Sequence, residues 1–104
     1  MNKIMYRIRI TVLKKAHYQD LIDKYENVLL EACPIKLGDV FIVENCEKPT
    51  KLCDSAWETL YPFIKGLSEG KEDYFDGWMK NKKSVLLSCN DGFRPVSFLV
   101  EVIE

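Results

Sequence analysis

The last twenty-one residues constrain this chain more than any other stretch. Residues 84–89, SVLLSC, and 96–103, VSFLVEVI, are two apolar runs with Asn90-Asp91-Gly92 between them. In the second run Val96, Phe98, Val100 and Val102 fall on one side and Ser97, Leu99, Glu101 and Ile103 on the other, the period of a strand with two unlike faces. Asp-Gly tolerates the positive φ values of tight turns, so the pattern predicts a β-hairpin whose strands are antiparallel. Pro95 has no N–H for a ladder bond and should mark the first residue of its strand or an edge.

The same alternation returns near the beginning. In residues 4–12, IMYRIRITV, the residues Tyr6, Ile8, Ile10 and Val12 share one face and Arg7, Arg9 and Thr11 the other. Tyr18, Leu21, Ile22, Tyr25 and Leu29 then recur at helical spacing and predict an amphipathic helix. Cys33-Pro34 breaks it. Gly38-Asp39 punctuates the start of a short strand over 40–44, VFIVE, and residues 45–53, NCEKPTKLC, read as a loop. From about Asp54 a second helical stripe runs through Ala56, Trp57, Leu60, Phe63, Ile64 and Leu67, with Thr50, Cys53 or Asp54 as candidate caps. Pro62 inside the stripe predicts a kink or two short helices in series. Residues 66–83 carry three glycines and many charges, the mark of a functional or mobile connection, and Tyr74, Phe75 and Trp78 should fold it back onto the body.

The expected architecture is therefore α+β: a mixed, mostly antiparallel sheet of about four strands, two helices on one face and a C-terminal hairpin. A chain of 104 residues fits a single domain, 1–104, and 47% apolar residues suffice for a core. The 15 basic and 16 acidic residues nearly cancel, which argues against a nucleic-acid partner. Lys80, Lys82 and Lys83 form the nearest thing to a basic patch, and a run that short reads as a solvated turn. No apolar run reaches the roughly 20 residues of a membrane span, and the beginning lacks a cleavable leader pattern. The expected location is cytoplasmic, where four cysteines are reduced thiols or metal ligands rather than disulfides.

Cys33, Cys46, Cys53 and Cys89 are the first candidates for chemistry, since soft sulfur suits zinc or iron. Their spacing contains no C-x2-C knuckle, and free cysteine is commonly a small buried apolar residue. Cys33, Cys53 and Cys89 nevertheless sit at element edges, from which side chains can converge. Cys53 at a helix start would have its thiolate favoured by the helix dipole, and His17, the sole histidine, is its only candidate partner for nucleophilic chemistry. Arg94 is placed to bind a carboxylate or phosphate, or to pair with Glu101, Asp91 or a neighbouring strand. Trp57 and Trp78 can line a pocket or pack in the core. No phosphate loop, dinucleotide fingerprint, zinc-protease or nucleophile-elbow motif occurs.

Three pieces, GDVFIVEN (38–45), LCDSAWETL (52–60) and SCNDGFRPVSFLVEVIE (88–104), read together as an ordered pattern. With Cys33-Pro34 before them and Trp78-Met79 between the last two, the chain resembles a family of uncharacterised small single-domain bacterial and archaeal proteins. The pattern is C-P, G-D-x-F-x-V, C-x-x-A-W, W-M and C-x-D-G-x-R-P-V. The resemblance spans nearly the whole chain, and the stretch from Lys65 to Lys83 departs from it by its length and charge. It implies no activity, and it selects Cys33, Cys53 and Cys89 over Cys46. The leading expectation is a thiol-lined site on those three cysteines for a soft metal or redox chemistry, with Arg94, Trp57 and Asp91 at its rim. The alternative is a non-catalytic binding or oligomerisation domain with structural cysteines, pairing through an exposed sheet edge.

Overall fold

A computed structural model of the chain describes residues 5–28 and 33–104. The elements run β1 (Ile8–Lys15), α1 (Gln19–Tyr25), β2 (Val40–Val43), α2 (Asp54–Ser68), β3 (Ser84–Ser88) and β4 (Val96–Val102). The strands form one sheet in the order β2-β1-β4-β3, and every neighbouring pair is antiparallel. The expected α+β class holds, with a fully antiparallel sheet in place of a mixed one.

Alternation decides which face is buried. Ile8, Ile10, Val12, Val43, Val85, Phe98 and Val100 point to one side and are buried there against α2. α2 supplies Ala56, Leu60, Ile64 and Leu67, the stripe its sequence spacing predicts. Ile35 and Leu52 close the same core from the loops flanking β2. The opposite face carries Arg9, Thr11, Ile42, Leu86, Leu99 and Glu101, and among the described residues no helix covers it.

Three local expectations are corrected. α2 passes through Pro62 as one helix, so the two short helices in series do not form. Pro62 and Glu58 are exposed, so the carbonyl that loses its partner can take water, while buried Leu60 and Ile64 pin the helix on either side. α1 is only seven residues long and buries none of them, so it adds nothing to the core that α2 covers. The rest of its predicted stripe, Leu29, lies outside the described residues, as does Ile4 of the expected first strand. α1 ends where Glu26 turns extended and pairs with Arg94.

The third correction concerns the hairpin. Asn90-Asp91-Gly92 does reverse the chain, but through a wide loop closed by the Cys89 N–H to the Val96 carbonyl. Gly92 does not use its access to positive φ. Asp91 holds the loop instead, its carboxylate accepting the N–H groups of Phe93 (2.8 Å) and Arg94 (3.2 Å). The loop then anchors α1, since the Phe93 and Pro95 carbonyls accept N–H bonds from Tyr18 and Ala16.

The connection after α2 folds back as its aromatics suggest. Tyr74 and Phe75 stack on Phe63 at 5.2 and 6.2 Å between ring centroids, and Trp78 meets Phe75 edge-on at 5.3 Å. Gly66 makes the close approach possible, because a Cβ there would collide with the Tyr74 hydroxyl. Trp78, Met79 and Asn81 then line a hollow with Leu86 and Leu99 on the uncovered face, so this segment passes from one face of the sheet to the other beside β3.

Candidate functional site

The cysteines do not assemble into a metal-ligand set. Among the described residues, which include all four, no group of three or more His, Cys, Asp or Glu side chains is arranged to hold a metal ion. Cys33 and Cys53 are exposed, while Cys46 and Cys89 pack against the core. Cys89 belongs to the hairpin: its Sγ accepts the Val96 N–H at 3.3 Å. Cys53 occupies the N-cap position of α2 without making a side-chain cap bond, and its Sγ meets Ser55 Oγ at 3.8 Å. His17 contacts Gln19 at 2.6 Å, so the Cys53–His17 pair is not formed.

The rim residues have structural partners. Arg94 donates to Glu26 at 2.6 Å with both side chains largely shielded, which ties the hairpin loop to the end of α1 and occupies the expected anion-binding group. Glu101, one of the partners expected for it, pairs with Arg9 instead. Asp91 is engaged by its own loop. Trp57 packs at the edge of the core and stacks on Tyr61 at 5.5 Å.

A concave feature of another kind lies along the free edge of β2. It is a groove of about 720 Å³ with Val40, Phe41 and Ile42 on one side. Pro34, Ile35 and Lys36 and then Pro49, Thr50 and Lys51 form the other walls. Both flanking turns are set by local chemistry. Before β2, Gly38 at φ +85° forms a one-residue bulge: its N–H bonds the Val12 carbonyl while the Val12 N–H bonds the Asp39 carbonyl. Asp39 fixes that turn by accepting the Lys36 N–H on its carboxylate.

After β2 the chain reverses through Asn45 and Cys46, both at positive φ, with the Glu47 N–H on the Glu44 carbonyl. Two successive positive φ values are the signature of a type I′ turn, which normally starts a hairpin. Here the returning segment does not pair with β2. Pro49 has no N–H to offer, and Leu52 is drawn into the core, so the chain diverges and leaves the gap.

The register states which backbone groups face that gap. Phe41 and Val43 lie opposite Ile10 and Ile8 in step with the Val12–Asp39 bond, so they carry the hydrogen-bonded pairs to β1. Val40 and Ile42 alternate with them and turn their N–H and C=O groups outward. Those four groups have no partner among the described residues. The side chains of Val40 and Ile42, 51% and 40% exposed, stand on the uncovered face. Lys36 and Lys51 have no ion-pair partner among the described residues.

Sequence reasoning named an exposed edge in general terms and missed this groove. The available signal was the pairing of Asn45, a residue suited to positive φ, with Pro49 four positions later: a hairpin-type turn followed by a segment unable to complete the hairpin. Compared with protein-family models, with curated proteins and with solved structures, the chain has no match.

Proposed function

We propose that this protein is a non-catalytic binding domain whose working surface is the free edge of β2. The observation that carries the reading is the set of outward N–H and C=O groups on Val40 and Ile42 facing a groove large enough for a further strand. Unpaired strand edges recruit other strands, and proteins that do not use an edge cover or blunt it. In this reading Cys46 and Cys89 are packing residues, and Arg94 is a strut between the hairpin loop and α1.

The test is a selection from a random peptide display library against the whole chain and against Ile42→Pro. The Ile42 N–H faces away from β1, so proline there removes an outward donor and leaves the β1 ladder its bonds. Peptides selected on the wild-type chain should lose binding to the variant while its circular dichroism is unchanged. Equal binding to both chains would overturn the proposal.

A further inference from the structure

Resting on that reading of the β2 edge, we infer that the groove takes one extended peptide segment with an apolar–acidic–apolar triplet, rather than a second copy of this chain.

The walls decide between the two occupants. A strand added to β2 enters a groove that Pro49, Thr50 and Lys51 also line. It must therefore be a lone strand with no element paired to its outer edge. A second copy presenting its own β2 brings the same wall with it, and the two walls would compete for the same space. β3, the other edge, is the fourth strand of a complete sheet flanked by the Trp78–Asn81 segment, and is no slimmer.

Strand geometry and charge set the triplet. A segment running antiparallel to β2 places two residues directly opposite Val40 and Ile42, where each exchanges both backbone bonds. Their side chains project to the uncovered face beside Val40 and Ile42, and apolar or β-branched groups there cover surface that is now exposed. The residue between them lies opposite Phe41 and projects to the helix side, because Phe41 packs against the core. Lys36 and Lys51, next in sequence to the buried Ile35 and Leu52, both line this groove. Two lysines line the groove against one carboxylate, Asp39, which is already bonded to the Lys36 N–H. An acidic side chain is the one that fits.

The probe is an acetylated, amidated hexapeptide alternating valine and glutamate, with its valine–lysine counterpart as the control. Amide spectra of the full 15N-labelled chain report the site, and light scattering reports self-association. The glutamate peptide should shift the Val40 and Ile42 amides saturably, and the lysine peptide should bind at least about threefold more weakly. The double variant Lys36→Glu, Lys51→Glu should reverse that order. The glutamate peptide N-methylated at its valines should not bind, a result that does not depend on any variant folding.

Equal binding of both peptides, with loss on N-methylation, would overturn the acidic preference and leave the edge reading intact. A dimer of the wild-type chain that Ile42→Pro dissociates would overturn the single-segment occupant and again leave the edge. A monomer whose Val40 and Ile42 amides respond to neither peptide would sink both.

Discussion

The two faces of the sheet are made by the same strands and have opposite fates. On one, Phe98 and Val100 are buried under α2, and Tyr74 packs against Phe63 of that helix at the margin of the core. On the other, Leu99 and Glu101, the alternate residues of the same strand, meet no helix. One alternating pattern thus builds a core on one side and leaves working surface on the other. What separates the two faces is the path of the connections, since β2 and β3 are opposite edges and α2 joins them across one face only.

The largest expected difference is in stability. Phe98→Ala removes a fully buried ring and should lower the unfolding free energy by about 3–5 kcal/mol. Leu86→Ser, on the uncovered face of β3, should cost no more than about 1 kcal/mol. Urea denaturation of the two variants measures the contrast directly. A comparable loss from both would mean that a second element covers the uncovered face in solution.

A smaller effect tests the Tyr74 packing. Gly66→Ala drives a methyl group into the Tyr74 hydroxyl and should destabilise by about 1–3 kcal/mol, through displacement of Tyr74 from Phe63. Near-ultraviolet circular dichroism should register the loss of aromatic packing while the far-ultraviolet spectrum stays the same. An unchanged near-ultraviolet spectrum would mean that the Tyr74 packing is not rigid.

The smallest effect is in pH. Desolvation by burial, with the nearby Glu69 carboxylate adding to it, raises the Tyr74 phenol above the ordinary tyrosine value of 10.0. The folded chain therefore keeps this proton when the unfolded chain has lost it. Its contribution to stability is complete below the ordinary value and declines as pH rises through the raised one. Absorbance at the phenolate band should show one tyrosine titrating later than the rest, and Gly66→Ala should bring it back toward them. Coincident titration in both chains would remove Tyr74 from that packing.

Several features were legible along the chain because short-range chemistry fixes them. The 96–102 alternation located β4 and named its buried residues, and the stripe from Ala56 to Leu67 located α2 with its core face. Tyr74 and Phe75 announced that their segment returns to the body. Asn90-Asp91-Gly92 announced the reversal, although the Asp91 carboxylate, rather than glycine at positive φ, proved to hold it. The extent of α1 was misjudged for a different reason. Amphipathic spacing says that a helix has an apolar side, and only packing says whether a partner exists for it; α1 buries nothing.

The sequence by itself determined the strands, the second helix, the antiparallel hairpin and the side of each strand that is apolar, since those follow from periods of two and 3.6 residues and from turn chemistry. Tertiary structure alone decided the strand order, the partner of Arg94, the burial or exposure of each cysteine and the open edge of β2. Each of these depends on where residues far apart in the chain come to lie. The return of Pro49–Lys51 beside Val40–Ile42 without pairing is set by Leu52 entering the core, a long-range packing event that no local pattern encodes.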